Sequence, residues 1–236
     1  MAHTLYLIPT PLGKAKQNDV LPEYTVQVIH SLNFFVVENV KNAIGFLKWI
    51  GHPLPDYKIT FRVLNKKTPQ QEVFSFLKLL EKNDVGLLSD AGAPAVADPG
   101  ATLVKMVHDG GHRITPLTGP SSILLALMAS GLNGQNFAFS GYLPIHEKKR
   151  KHALSELELE SRQKNRTQIF METPHRNPEM YQDIISVCHP ETKLCIASEL
   201  TLSGENIMTK PVYEWRKKSA PELKGIPVLF LIYSGS

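Results

Sequence analysis

The sequence predicts an α/β protein with a parallel sheet in its first half and a mixed sheet in its second half. Two patterns support this fold class. Short apolar runs such as Val85–Leu88 have the length of buried strands and alternate with amphipathic helical patterns, as in βαβ units. Near the end of the chain, residues 207–215 and Val228–Tyr233 alternate in the way expected of antiparallel strands. The 236 residues suffice for two domains, which we place at residues 1–117 and 118–236.

In the first half, each predicted strand leads into a loop and then usually into a helix. The predicted strands cover residues 4–9, 34–37, 58–63 at the sheet edge, 85–88 and 112–116, and the predicted helices cover residues 43–50, 69–80 and 98–107. Pro9 and Pro11 make the first loop rigid, because proline fixes its own backbone and cannot donate to a sheet. We expect Asp98 as the N-cap of the third helix, Pro99 as its first residue and Gly110 at its end.

The second half is predicted to begin at residues 118–122, where a turn signal coincides with an N-cap signal. The predicted strands then cover residues 137–140, 169–172, 194–197, 207–215 and 228–233, and the predicted helices cover residues 123–129, 145–166 and a segment ending at Val187. The last two strands are expected to pair with each other as a hairpin, which would give this sheet its antiparallel part.

Composition indicates a globular protein of a reducing compartment. The chain is 42% hydrophobic and 20% charged, and its net charge of +4 is too small to specify a nucleic-acid-binding domain. Cys188 and Cys195 are too few for a disulfide framework or a zinc site, and we expect no metal. No signal-peptide pattern and no apolar run of the ~20 residues that cross a bilayer is present, so we expect a cytoplasmic protein that makes no membrane contact. The basic run 148–151 is typical of a solvated helix face, or of a phosphate contact if the substrate is RNA.

Four loops at predicted strand ends are rich in Pro, Gly, Ser and Thr. They cover residues 10–13, 89–94, 118–122 and 173–176, and they come from both domains. Each has the composition of an ordinary turn, but together they predict a ligand-binding cleft between the domains. The chain lacks the Gly-x-Gly-x-x-Gly and P-loop patterns, which argues against the common dinucleotide and nucleoside triphosphate sites.

Several blocks of the sequence carry a resemblance to a known family. They cover residues 5–13, 89–100, 119–122, 139–144, 172–176 and 198–201. In their order and spacing they resemble the tetrapyrrole methylase superfamily. Within it, they are most similar to the ribosomal RNA small-subunit methyltransferase I group, which methylates the ribose 2′-hydroxyl of a cytidine.

This resemblance implies a fold, a cofactor and partners. It implies the two-domain class III methyltransferase fold, a homodimer, S-adenosylmethionine in the interdomain cleft, and ribosomal RNA or the small ribosomal subunit as partner. The cofactor-binding residues that it implies are Pro11, Asp90, Ala91, Gly92, Pro94, Ser121, Ser122 and Met171. Small residues and hydroxyls also suit a sulfonium that carries an adenosine, because they allow close approach to the backbone.

Four residues are candidates for catalytic roles. A ribose hydroxyl needs a base for its proton, and Asp90 and Glu38 both follow buried strands. The structural alternatives are that Asp90 bonds its own backbone and that Glu38 pairs with Lys41. His175 and Arg176 are expected to face the substrate, or else to cap the helix that follows them.

The sequence also departs from the pattern of that group. Asn39 and Lys41 stand where Asp and Arg are usual, and Lys14 and Leu202 replace an Asn and a Lys. Arg and Lys are not equivalent where a planar fork binds phosphate. We also expect the chain to end at Ser236 without the carboxyl-terminal extension common in the group. Methylation of a tetrapyrrole or another small molecule therefore stays open, as does a homologue that binds the cofactor without transferring its methyl group.

Overall fold

The computed structural model describes residues 3–14 and 16–235, and tertiary contacts divide the chain into two compact units, residues 1–121 and 122–236. In the first unit the strands are β1 (Thr4–Ile8), β2 (Phe34–Val37), β3 (Thr60–Val63), β4 (Val85–Leu88) and β5 (Arg113–Pro116). The helices are α1 (Gln17–Val20), α2 (Glu23–His30), α3 (Val40–Trp49), α4 (Gln70–Leu80) and α5 (Gly100–Asp109), with a short 3-10 helix at Asp56–Lys58. The predicted parallel sheet is confirmed: the strand order is β3-β2-β4-β1-β5 and all four pairings are parallel.

The central strand β4 is covered on both faces and leaves no room there for a ligand. All four residues of β4 are buried. A Cβ atom at Gly86 would lie 2.6 Å from Ile8 Cδ1 and 2.8 Å from Phe35 Cδ1, so neighbouring side chains fill the space over the glycine. Apolar clusters built around Phe35 and Leu47 on one side and around Val36 and Phe76 on the other use the two faces of the sheet. Groups that reach a ligand therefore come from the loops at the carboxyl ends of the strands.

The second unit contains the predicted mixed sheet. Its strands are β6 (Phe137–Tyr142), β7 (Thr167–Met171), β8 (Lys193–Ser198), β9 (Asn206–Pro211) and β10 (Val228–Tyr233) in the order β6-β7-β10-β8-β9. Its helices are α6 (Ser122–Ser130), α7 (Glu147–Lys164), α8 (Asn177–Val187) and α9 (Val212–Arg216), with a 3-10 helix at Pro174–Arg176. Strands β6 and β7 pair in parallel and the other pairs are antiparallel.

The predicted hairpin between residues 207–215 and β10 is wrong. Strand β9 ends at Pro211 and pairs with β8, while β10 lies between β7 and β8. Residues 212–216 form α9, in which Trp215 is buried and donates from Nε1 to the Leu194 carbonyl at 3.0 Å. Strand β10 is buried on both faces, which suits a central position better than the edge of a hairpin.

Smaller differences concern helix boundaries. Helix α5 begins at Gly100 with Pro99 as its N-cap, so the predicted N-cap Asp98 and first residue Pro99 each lie one position before those places in the structure. Helix α3 begins at Val40 rather than residue 43, and helices α1 and α2 were not predicted. Among the described residues, no helix is both long enough and apolar enough to cross a membrane.

The two cysteines are free and buried. Burial raises the pKa of the Cys188 thiol to about 12, and it also raises the pKa of Cys195. Both side chains are therefore neutral thiols that pack in the core, and neither has the low pKa of a reactive cysteine.

The basic run 148–151 is not a uniformly solvated face. Arg150 is buried, and its guanidinium makes an ion pair with Asp183 at 2.6 Å and donates to the Ile145 carbonyl at 2.7 Å. Lys151 pairs with Glu147 at 2.6 Å and lies 3.5 Å from Asp183. Arg150 and Lys151 therefore connect α7 to α8, and Lys151 also pairs within α7. Within the run, Lys148 and Lys149 are exposed and make no ion pair with any described residue.

Candidate functional site

The loops that follow β1 and β4 are joined by backbone hydrogen bonds. Thr10 and Gly92 donate to each other's carbonyl oxygens at 3.0 Å in both directions. The hydroxyl of Thr10, which is buried, donates to the Ser89 carbonyl at 3.2 Å. The sequence predicted Thr10 and Ser89 only as small loop residues, because a bond across 79 positions has no local signal. These contacts hold the two loops as one structure at the carboxyl ends of adjacent strands.

Two glycines allow these loops to pack closely. Gly92 has a φ of +76°, a conformation that favours glycine, and its N–H and carbonyl both bond Thr10. A Cβ atom at Gly119 would lie 2.2 Å from Pro9 Cγ, so the loop after β5 is in contact with the loop after β1. The small residues that the sequence analysis attributed to ligand approach are therefore also required by packing between loops.

Asp98 fixes the loop between β4 and α5. Its carboxylate accepts from the backbone N–H of Ala95 at 2.9 Å and from that of Gly100 at 2.7 Å. Ala95 and Ala97 both adopt left-handed conformations, with φ of 65° and 60°, which cost energy for residues with a Cβ. Asp98 therefore stabilises the start of α5 from a position before the cap, and it also holds a strained segment in place.

Three carboxylates lie near one another at these strand ends. The pKa of Glu38 is raised, first by burial and then by the negative charges of Asp90 and Asp98. A hydrogen bond from the Asp90 backbone N–H and the positive charge of Lys66 oppose this rise. Burial also raises the pKa of Asp98, against its two backbone hydrogen bonds. Desolvation and like charge are the usual means by which a carboxylate becomes a stronger base.

The structural alternatives for Glu38 and Asp90 are wrong. Among residues 3–14 and 16–235 no ion pair joins Glu38 to Lys41, and the cation that acts on Glu38 is Lys66. Asp90 is exposed, and its carboxylate accepts no hydrogen bond from the part of the chain that the structure describes. Neither carboxylate makes the local contact expected for it, and the backbone hydrogen bond on Glu38 comes from Asp90 on the neighbouring loop.

The remaining candidate residues come from both units. In the first unit, Pro11 and Ser121 are half-buried, Ala91 is exposed and Pro94 is buried. Met171 ends β7 and Ser122 begins α6. His175 is exposed in the 3-10 helix after β7. Arg176 occupies the cap position of α8, but its side chain pairs with the buried Glu172 at 2.6 Å, so the predicted side-chain cap is not formed.

Asn39 explains one departure from the group's pattern. It is the N-cap of α3, where its side-chain oxygen accepts from the backbone N–H groups of Lys41 at 2.9 Å and Asn42 at 3.3 Å. Asn and Asp are similarly effective at this position. The Asn in place of Asp therefore preserves the cap and removes one negative charge beside Glu38.

The cap can be tested by substitution. We expect Asn39→Ala to lower the free energy of unfolding by about 1 kcal/mol, because two backbone N–H groups lose their acceptor. Asn39→Asp should stay within about 0.5 kcal/mol of the unsubstituted protein. In a Trp215→Phe background, urea unfolding followed by the fluorescence of Trp49, the last residue of α3, measures both variants. Equal stability of the Ala variant would show that the cap contributes nothing.

Residues 31–215 match the family model described as Tetrapyrrole (Corrin/Porphyrin) Methylases, which covers well over half of the chain. The chain belongs to the tetrapyrrole methylase family. It is 34% identical over 236 residues to a protein of Vibrio cholerae named ribosomal RNA small subunit methyltransferase I, covering 98% of this chain and 77% of that protein. The resemblance inferred from the sequence blocks is thus confirmed.

Solved structures confirm the predicted class III methyltransferase fold of this tetrapyrrole methylase. The methyltransferase CobJ matches with a TM-score of 0.64 at 15% identity, covering 99% of this chain and 95% of its own. A diphthine synthase matches with a TM-score of 0.68 at 13% identity, covering 98% and 90%. As a member of this family, the chain is a methyltransferase that uses S-adenosylmethionine as methyl donor.

The loops of the first unit fit this cofactor. Ala91 is exposed and its side chain is only a methyl group, which allows a flat group to approach the polypeptide closely. The carboxylates of Glu38, Asp90 and Asp98 create a negative potential at the same strand ends, and this favours a positively charged sulfonium. The residues at these strand ends are therefore chemically suited to S-adenosylmethionine, the methyl donor that the family implies.

Proposed function

We propose that this tetrapyrrole methylase methylates the ribose 2′-hydroxyl of a cytidine in small-subunit ribosomal RNA. The observation that carries the proposal is the similarity, along nearly the whole chain, to proteins named ribosomal RNA small subunit methyltransferase I, at 34% and 33% identity. The arrangement of carboxylates at the ends of β2 and β4 agrees with it, because a hydroxyl acceptor has a proton to lose.

In the proposed mechanism Glu38 is the base that takes the proton of the acceptor hydroxyl. S-adenosylmethionine, when bound, supplies an electrophilic methyl group on a sulfonium that leaves as a neutral sulfide without acid assistance. Burial and the charges of Asp90 and Asp98 raise the pKa of Glu38, so its ionised form binds a proton more strongly than an exposed glutamate does. The rigid pairing of Thr10 with Gly92 keeps the loops in one geometry, and alignment of the reacting groups supplies much of the rate of such displacements.

The cofactor contacts are part of the proposal. In the first unit we assign them to loop residues at the carboxyl ends of β1, β4 and β5, and in the second unit to the start of α6 and the end of β7. These residues are Pro11, Asp90, Ala91, Gly92, Pro94, Ser121, Ser122 and Met171. Catalytic roles beside Glu38 are proposed for Asp90, which favours the positive charge of the donor, and for His175 and Arg176 as substrate contacts.

Assembly and location follow from the same proposal. We propose a homodimer, as the family resemblance implies, and a cytoplasmic location, because assembling ribosomal subunits are found there. Size-exclusion chromatography with light scattering checks the mass against 26.4 kDa per chain. A monomer at working concentration would remove the dimer without affecting the assignment of the reaction.

Comparative mass spectrometry tests the reaction itself. Ribosomal RNA from cells with and without the gene should differ by one methyl group on a cytidine ribose, and purified protein with S-adenosylmethionine should restore it on subunits from the deletion strain. Unchanged RNA modification in the deletion strain would contradict the proposal. Turnover on a tetrapyrrole or another small molecule, with none on subunits, would select the small-molecule alternative, and cofactor binding without turnover on any acceptor would select the binding homologue.

A further inference from the structure

The positive charge of the chain is concentrated in one short segment. Residues 40–69 contain six Lys or Arg and a single Asp, whereas the whole chain has a net charge of only +4. The segment includes α3, the 3-10 helix before β3, the edge strand β3 and the loop that leads to α4. The rest of the chain is therefore slightly acidic, and this segment is the main electrostatic feature of the first unit.

Five cations of this segment are exposed and make no ion pair with any described residue. They are Lys41, Lys58, Arg62, Lys66 and Lys67. Lys58 lies before β3, at the opposite end of that strand from Lys66 and Lys67. The sixth cation, Lys48, pairs with Asp56 at 3.2 Å. Exposed cations that are not neutralised by carboxylates attract anions, and a polyanion gains from contacting several of them together.

The sheet register places part of this basic segment beside the candidate base. Val37 and Val63 are partners in the parallel pair β2–β3, and the Leu64 N–H donates to the Val37 carbonyl at 2.8 Å. Glu38, directly after β2, and the loop after β3 therefore lie at the same edge of the sheet. The positive charge of Lys66 lowers the pKa of Glu38, which agrees with this placement.

We infer that Lys41, Arg62, Lys66 and Lys67 form a phosphate-binding surface for the RNA strand that carries the acceptor nucleotide. This inference rests on the proposed function, because it assigns that substrate to a surface of the first unit. Phosphate contacts set the register of a nucleic acid without reading its sequence. A strand held at the end of β3 would thus present a ribose to Glu38, whichever bases flank it.

The alternative basic run on α7 is less suited to this role. Two of its four cations, Arg150 and Lys151, are engaged with Asp183 and Glu147. Charges on an edge strand such as β3 also discourage pairing with other chains, and Arg62 serves that purpose as well. Lys66 and Lys67 lie after the end of β3. Substituting them therefore tests RNA binding without removing the charge that protects the edge strand.

The double variant Lys66→Gln, Lys67→Gln tests the inference by direct binding. The probe is an unmodified transcript of small-subunit ribosomal RNA, titrated at several salt concentrations without methyl donor. We expect roughly tenfold weaker binding near 100 mM salt, and a plot of log affinity against log salt whose slope is about 1.4 shallower, as for two lost single-strand phosphate contacts. Affinity for S-adenosylmethionine, measured by calorimetry, should not change.

Two matched variants give the comparison. Lys78→Gln, Lys82→Gln removes the same charge from exposed residues at the end of α4, and its RNA binding should stay at the level of the unsubstituted protein. Lys148→Gln, Lys149→Gln removes the same charge from α7. The inference is overturned if this variant loses as much RNA affinity as is expected for Lys66→Gln, Lys67→Gln.

Two other results would overturn the inference. One is that substitution of Lys66 and Lys67 changes neither the RNA affinity nor the salt slope. The other is that the unsubstituted protein does not bind the transcript. Methyl transfer is measured separately, so failure of the reaction alone contradicts only the proposed function.

Discussion

Glu38→Gln is expected to lower kcat for RNA methylation by about 10²–10⁴-fold, the usual contribution of a positioned general base. The substitution keeps the size of the side chain and removes its ability to take a proton. Because burial and two neighbouring carboxylates disfavour the ionised form of Glu38, a neutral amide there should leave the melting temperature equal or higher. Binding of S-adenosylmethionine should change by less than about threefold, since Asp90 and Asp98 keep their charges. Single-turnover methylation of subunits measures the chemical step.

Two further variants make this result specific. Glu81→Gln makes the same chemical change at an exposed residue after α4 and should have full activity. Asp90→Asn should mainly weaken cofactor binding, so a larger loss of kcat in this variant than in Glu38→Gln would transfer the base to Asp90. In the unsubstituted enzyme, kcat/KM should fall as the pH drops through the raised pKa of Glu38, at a higher pH than an ordinary glutamate would give. Full activity of Glu38→Gln would refute the assignment.

The strands of the first sheet could be predicted from the sequence because they are short apolar runs with turn residues at both ends. β4 is the clearest case, with four buried residues between Asp84 and Ser89. Pairing in the second sheet could not be predicted in the same way, because β10 inserts between β7 and β8, far from both in sequence. The patterns of residues 207–215 and Val228–Tyr233 predicted a hairpin, although a continuous apolar run such as Val228–Tyr233 is typical of a central strand.

The sequence identified residues of the candidate site but not the contacts between them. Glu38 and Asp90 were identified because both follow buried strands. Their mutual influence, and the role of Asp98 in holding Ala95, depend on distances across the sheet that no local pattern carries. Lys66 was missed for a different reason. Charge compared between the two halves of the chain is nearly even, and only a window of about thirty residues reveals the basic segment.

The buried ion pair of the second unit leads to the largest expected change in stability. Asp183→Ala should lower the free energy of unfolding of that unit by about 3–5 kcal/mol, because it leaves the Arg150 guanidinium buried without a counter-charge. Both side chains are only 7% exposed, so water cannot replace the lost carboxylate. The Nη1 bond to the Ile145 carbonyl would remain, but a neutral acceptor does not compensate the charge.

Unfolding of the second unit can be observed separately because each unit contains one of the two tryptophans, Trp49 and Trp215. In a Trp49→Phe background, urea unfolding followed by the fluorescence of Trp215 reports the unit that contains Asp183. Asp109→Ala removes the partner of Lys105 in an exposed pair with a separation of 4.0 Å and should cost less than about 0.5 kcal/mol. Because Asp109 lies in the first unit, this variant is followed by the fluorescence of Trp49 in a Trp215→Phe background. The double variant Arg150→Met, Asp183→Leu should recover most of the loss, because an apolar pair of similar volume needs no charge compensation. A loss as small for Asp183→Ala as for Asp109→Ala would mean that Arg150 reaches solvent when its partner is removed, and that α7 is held to α8 by apolar packing alone.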